Sequence, residues 1–281
     1  MSVPHETGRC ESGGVSIFYR KLGRCGATPV LLVHGLSYFS YDWLEIAQTL
    51  GEDREVVAMD MRGFGDSDWS PAKDYSVPSM AADIIGLLDH LGWDRAVLSG
   101  HSMGGRSTTY AAAKNPTRVA GLVLVDYSPE NAAAGAKRVT QTVAGVPDRF
   151  ATVEEAMRYF GADPHSPGAK RQRFEAYLKP QAGGFILKRD THFRDQFRKL
   201  LESGERPKLG VDMWQLIGEV KCPILSMRGA RSDMYDAQTV QKMRAANAGL
   251  QVAEIDAGHN IGGENPQGFL AAMRAFLASL R

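Results

Sequence analysis

Apolar residues in this chain come in short runs, separated by longer stretches in which apolar positions recur at helical spacing. The runs are Pro29–Val33, Glu55–Met59, Arg95–Ser99, Val119–Val125, Pro223–Met227 and Gln251–Ile255. Runs this short, with Ser226 and Glu254 the only polar residues inside them, predict parallel strands buried on both faces. Between them, Ser79–Leu91, Met103–Lys114, Ala237–Ala246 and Pro266–Leu280 carry helical patterns. The segment Gly14–Arg20 alternates apolar and polar residues, as an edge strand does. Strands alternating with helices in this way predict a parallel sheet covered on both faces.

The alternation breaks between about Tyr127 and Asp212. One helix is expected from the capping box Thr152-Val153-Glu154-Glu155, and others over Ala169–Lys179 and Asp190–Ser203, with no strand among them. The pattern therefore predicts an α/β core from residues 1–126 and 213–281, and an all-helical lid, 127–212, over one end of the sheet.

Composition narrows the function classes. The chain has 281 residues, 43% hydrophobic and 23% charged, enough for one large α/β domain with an insertion. A formal net charge of +1 gives no global attraction to nucleic acid or a membrane surface. Residues 127–212 carry 15 Lys and Arg against 11 Asp and Glu. A basic lid can favour an anionic substrate, although solvated helix faces are the commoner reason for such a surplus. The three cysteines, Cys10, Cys25 and Cys222, are widely spaced, which argues against a disulfide framework or a zinc site. Met1–Gly14 has neither the basic start nor the apolar core of a signal peptide, and no run reaches membrane-spanning length. The expected setting is cytoplasmic, with no metal and no cofactor.

The chemistry is concentrated in Gly100-His101-Ser102-Met103-Gly104-Gly105, between an apolar run and a helical pattern. A serine flanked by glycines at a strand-to-helix turn is a nucleophile elbow. The turn forces a strained backbone and holds the hydroxyl at the strand tip, beside helix amides that can stabilise an oxyanion. A general base is needed to take the serine proton. His259 stands in the loop after the last strand and before the final helix.

With His34-Gly35, Asp60-Met61-Arg62-Gly63-Phe64-Gly65-Asp66-Ser67, the elbow and Gly258-His259-Asn260 in this order, the chain resembles the α/β-hydrolase family over nearly its whole length. The resemblance implies a mostly parallel eight-stranded sheet with helices on both faces. It places the oxyanion donors at the backbone amides of Leu36 and Met103, and makes His34 and His101 residues that shape the site. Asp66 and Asp68 belong to a loop motif whose carboxylates fix a turn. The acid that orients His259 has two candidates. Asp233 follows the Pro223–Met227 strand, the commoner family location, but the usual Gly-x-x-Asp spacing falls on Ser232 in Gly229-Ala230-Arg231-Ser232-Asp233. Asp126 ends the Val119–Val125 run and resembles the acid of haloalkane dehalogenases and some small esterases. The spacing favours Asp126, which leaves Asp233 to cap a helix or form an ion pair.

Arg106, one turn beyond Ser102, is expected to pair with a core carboxylate, Asp126 or a lid residue, with a substrate carboxylate as the alternative. Together with the Asp126 spacing it gives the chain a partial likeness to hydrolases of acetamidomethylene-succinate. Candidate pocket walls are Tyr38, Phe39, Tyr127, Phe160 and Trp214, and His165 and His192 can face the pocket from the lid. The implied activity is cofactor-independent hydrolysis of a small carbonyl substrate through an acyl-enzyme on Ser102: an ester, lactone, amide or C–C bond. Alternatives are an acyltransferase or cofactor-free peroxidase, or a silent ligand-binding receptor. Dehalogenases and epoxide hydrolases use an elbow aspartate and are disfavoured. The expected partner is a small molecule, anionic if the basic lid selects it, bound by a monomer or homodimer.

Overall fold

The computed structural model describes residues 3–166, 168–205 and 209–280. Its strands are β1 (Glu6–Ser12), β2 (Val15–Gly23), β3 (Ala27–Val33), β4 (Arg54–Met59), β5 (Ala96–His101), β6 (Val119–Val125), β7 (Leu178–Gln181), β8 (Gly184–Leu187), β9 (Ile224–Gly229) and β10 (Leu250–Ile255). Eight of them form one sheet in the order β1-β2-β4-β3-β5-β6-β9-β10. Pairings β1/β2 and β2/β4 are antiparallel, and the others are parallel. This is the α/β-hydrolase fold.

The helices are α1 (Leu44–Leu50), α2 (Val77–His90), α3 (Met103–Lys114), α4 (Ala133–Ala144), α5 (Val153–Tyr159), α6 (Ala169–Tyr177), α7 (Thr191–Ser203), α8 (Met213–Glu219), α9 (Ala237–Ala246), α10 (Ile261–Glu264) and α11 (Pro266–Ser279). Side chains of each central strand alternate between two cores. Leu31 and Val33 of β3 join Leu122 and Leu124 of β6 under α2, α3 and α8. Val30 and Leu32 face the other way, with Val123 and Val125, onto α1 and the Phe269–Met273–Phe276 stripe of α11. Both faces of the sheet are thus sealed, and the loops at the carboxyl ends of the parallel strands are left to build a site.

Two expectations need correction. The strand β2 is not an edge, because β1 pairs with it from Glu6↔Lys21 to Ser12↔Val15. The β1 sequence, Glu-Thr-Gly-Arg-Cys-Glu-Ser, buries only Cys10 fully, so its apolar pattern is too thin to read. The segment after β6 is not all-helical either. β7 and β8 form a hairpin around Ala182-Gly183, with Gly183 at φ 78°, and it cuts the expected Ala169–Lys179 helix short at Tyr177. Strands of four residues, one holding Pro180, carry too few positions to show a period of two. Otherwise α4 to α7 lie here, and residues 127–212 add no strand to the large sheet among the described residues. Phe150, Met157, Phe174, Tyr177 and Leu187 give this insert a small core of its own, joined by Phe39 from the loop after β3. No described helix is long and apolar enough to cross a membrane.

Candidate active site

β5 ends at the elbow. Ser102 has φ 50° and ψ −114°, a conformation that L-residues rarely adopt, and its N–H donates to the Val125 carbonyl at 3.0 Å. The glycines around it are required by packing. A Cβ on Gly100 would lie 2.3 Å from Thr108 Oγ1, and one on Gly104 would lie 2.6 Å from the His34 carbonyl oxygen. Helix α3 therefore sits hard against β3 and β5, and Ser102 is half-buried at its N-terminus.

The adjacent strand β6 ends in a second strained residue, Asp126, at φ 44° and 2% exposed. Its carboxylate is fully engaged. Oδ1 accepts from the Gly229 N–H at 2.9 Å, and Oδ2 accepts from Ser232 Oγ at 2.5 Å and from His259 Nδ1 at 2.6 Å. An ionised carboxylate only accepts, so Nδ1 of His259 carries the proton and Nε2 keeps a lone pair for a proton from elsewhere. His101 Nε2 donates to the His259 carbonyl at 2.9 Å, and the two rings stand 4.7 Å apart. Burial, followed by the neighbouring His259, holds the His101 imidazole well below its ordinary pKa and hence neutral.

Asp233 is elsewhere. Its two oxygens accept from Arg138 Nε and Nη2, each at 2.7 Å. That ion pair, ahead of the desolvation that opposes it, lowers the Asp233 pKa. Ser232, which occupies the usual acid position after β9, is instead a hydrogen-bond donor to Asp126. The substituted spacing was the one signal in the sequence that could have found it.

The loop after β3 faces the same point. A Cβ on Gly35 would lie 3.1 Å from the Ser102 Cβ and 2.9 Å from His101 Nδ1, so Gly35 packs directly on the elbow. The Met61 N–H donates to His34 Nε2 at 2.9 Å, which puts the ring proton on Nδ1, and Nδ1 donates to the Gly35 carbonyl at 2.8 Å. The Tyr38 N–H reaches the same carbonyl at 3.1 Å. In a trans peptide the Gly35 C=O and the Leu36 N–H point in opposite directions, so these two bonds aim the Leu36 donor. Burial pushes the His34 pKa down, which keeps Nε2 free to accept. Met103 is the first residue of α3, where an N–H has no partner inside the helix. The Leu36 and Met103 amides, the two donors expected from the sequence, are thus carried by the loop after β3 and by the first turn of α3.

The remaining sequence candidates divide. Tyr38 stacks edge-on to His101 at 4.9 Å, and burial raises its phenol to about 12. Tyr127 is 3% exposed against Gly105 of α3, and Trp214 packs on the core from α8. Phe39 and Phe160 belong to the insert's core. Asp66 binds Lys188 at 2.7 Å, and Asp68 accepts from the Ser16 N–H at 3.1 Å, so both hold the 60–68 loop in place. His165 is exposed in a turn. His192 lines an open cleft of about 430 Å³ with Lys73, Asp195 and Lys199, a cleft that shares no residue with the Ser102 cluster. The expected ion pair of Arg106 is not formed. Asp126 is occupied by three other donors, and no described residue accepts a hydrogen bond from Arg106. Among the described residues no group of three or more His, Cys, Asp or Glu could hold a metal.

Residues 28–156 match the family described as the alpha/beta hydrolase fold. Over 252 residues the chain is 32% identical to the 3-hydroxybutyrate-oligomer hydrolase of Cupriavidus necator, covering 83% of each chain. It is 28% identical to the N-formylmaleamate deformylase of Pseudomonas putida, over 99% of this chain and 98% of that one. Among solved structures, E-2-(acetamidomethylene)succinate hydrolase superposes with a TM-score of 0.84 at 26% identity, covering 98% of this chain and 100% of that one.

Proposed function

The chain belongs to the α/β-hydrolase family and is a hydrolase; from that premise we propose that it cleaves a small carbonyl substrate through an acyl-enzyme on Ser102. His259 Nε2 takes the Ser102 proton as Oγ attacks the carbonyl carbon. The developing oxyanion is held by the Leu36 and Met103 N–H groups, which need no reorganisation because the peptide planes are already fixed. His259 then returns the proton to the leaving group. A water activated by the same nitrogen releases the acid. Asp126 holds the tautomer and stabilises the imidazolium, and residues 127–212 act as the lid.

The observation that carries this reading is the bond between His259 Nδ1 and Asp126 Oδ2 at 2.6 Å, on a carboxylate already anchored by Gly229 and Ser232. Support for the lid comes from Arg173 and Arg189, which reach the Ser37 and Leu36 carbonyls from the insert. The names of two relatives point to substrates built on succinate and maleamate, and a small carboxylate-bearing substrate is our reading for this chain as well. The test is turnover of p-nitrophenyl esters from acetyl to dodecanoyl by wild type, Ser102→Ala, Asp126→Asn and Asp233→Asn. Activity lost in the first two variants and kept in the third supports the assignment. Activity that survives Ser102→Ala refutes it.

A further inference from the structure

Arginines inside this protein are matched to carboxylates with few exceptions. Arg62 faces Asp83, Arg173 faces Asp42, Arg194 faces Asp148 and Arg228 faces Glu254. Three described arginines that are not exposed have no carboxylate partner: Arg106, Arg189 and Arg198. Arg198 is accounted for, since it donates to the Ala144 and Val146 carbonyls at the end of α4, at 2.9 and 3.0 Å. Arg106 donates to no described residue. Arg189 is 4% exposed, and among the described residues its guanidinium makes only two long contacts, 3.4 Å to the Leu36 carbonyl and 3.5 Å to Ser37 Oγ.

Each of these two arginines has a tyrosine beside it whose hydroxyl is also unpartnered. The Tyr127 ring packs on Gly105, next to Arg106, and Tyr127 is the ionisable group that acts most directly on that guanidinium. The Tyr177 ring stacks on Phe39 and lies under Arg173 at 5.3 Å, its carbonyl accepts from the N–H of Lys188, the residue before Arg189, at 2.9 Å, and Arg189 is the charge that acts most on its phenol. Both hydroxyls are sealed from solvent with no hydrogen-bond partner among the described residues. Burial pushes both guanidinium groups down and both phenols up, the expected response of polar groups held away from water with nothing to compensate them.

One arginine of each pair lies near a proposed oxyanion donor. Arg106 lies one turn beyond Met103 on α3, and Arg189 touches the carbonyl of Leu36. A planar guanidinium fork with a phenol O–H beside it is a set of donors lacking an acceptor. Its complement is a carboxylate, whose two oxygens accept several hydrogen bonds in one plane. We propose that the Arg106–Tyr127 and Arg189–Tyr177 pairs are two carboxylate subsites, and that the substrate is a small dicarboxylic compound held across Ser102. This rests on the reading of Ser102 as nucleophile. An uncompensated buried charge is retained at a functional position because the ligand completes it.

The test has a binding arm and a catalytic arm. Thermal unfolding of the Ser102→Ala protein is followed with glutarate, adipate and, for comparison, butyrate at matched ionic strength. The dicarboxylates are expected to raise Tm saturably and butyrate to raise it less, with Arg106→Met and Arg189→Met each weakening the dicarboxylates about 30-fold. Tyr127→Phe and Tyr177→Phe keep the ring and are expected to weaken them about fivefold, which serves if a methionine variant fails to fold. In the catalytic arm, the preference for mono-p-nitrophenyl adipate over p-nitrophenyl hexanoate should fall about 30-fold in each methionine variant. Equal stabilisation by butyrate and dicarboxylates, or a preference unchanged by all four substitutions, overturns the proposal. Failure of the Ser102 assignment reads differently, as ester turnover by Ser102→Ala, and leaves the binding arm interpretable.

Discussion

Two buried sets of polar groups in this protein are wired in opposite ways. At the tips of β6 and β9, the Asp126 carboxylate has three donors, and the His259 carbonyl is used by His101. By contrast, Arg106 and the Tyr127 and Tyr177 hydroxyls have no partner among the described residues, and Arg189 has two weak ones. A closed network is rigid in the free protein and fixes geometry before substrate arrives. An open one is costly in the free protein, and the deficit is recovered only when a ligand brings the missing acceptors. On the proposed function, the contrast separates residues that prepare the reaction from residues that choose what reacts.

The sharpest way to break the comparison is at the closed network. Ser102→Ala is expected to lower kcat/KM for a p-nitrophenyl ester by about 10⁴-fold or more, measured by steady-state turnover. Asp126→Asn should cost about 10⁴-fold, because an amide can donate to Nδ1 and impose the wrong tautomer on His259. Asp233→Asn, which breaks only a half-exposed pair with Arg138, should stay within about threefold. A reversal of the last two would move the acid to Asp233.

A next-largest effect concerns pH. His34 and His101 are buried neutral, with pKa values lowered from 6.5 by desolvation. The unfolded chain takes up these protons as pH falls through about 6.5 while the folded chain does not, so stability is full above that pH and declines below it. Each excluded proton contributes a slope of up to about 1.4 kcal/mol per pH unit. Urea unfolding between pH 5 and 7 measures it, and His34→Asn should remove one share; an unchanged slope would mean that His34 is protonated in the fold.

Ser232→Ala removes one of three donors from Asp126 and is expected to lower kcat about tenfold with KM nearly constant. The smallest effect tests the open set. Tyr127→Phe and Tyr177→Phe delete hydroxyls that have no partner in the free protein, so chemical denaturation should show stability unchanged or raised by up to about 1 kcal/mol. A loss larger than about 1 kcal/mol would show that these hydroxyls are satisfied in the free protein and would erase the contrast.

Legibility followed the range of the interactions. The elbow was readable because strand, glycines, serine and helix are contiguous, and β6, α3 and α9 have the limits their patterns predict. The hairpin of β7 and β8 was not, because each strand offers four positions and its pairing depends on Phe150 bridging to Phe185 from outside. Arg106 was misread for a related reason. A buried arginine is expected to find a carboxylate, and nothing in the residues near it reveals that the available one is committed elsewhere.

By itself, then, the amino-acid sequence determined the doubly covered parallel sheet, the position of Ser102 at a strand tip and of His259 after the last strand, since each follows from local period and turn chemistry. Tertiary structure alone decided that Asp126 faces His259 across 133 positions of chain while Asp233 faces Arg138. It also decided that Met61 sets the His34 tautomer, and that the Tyr127 and Tyr177 hydroxyls are buried with no partner among the described residues. A hydrogen bond between distant residues is chosen by which groups packing brings within about 3 Å, and the covalent order of the chain does not contain that distance.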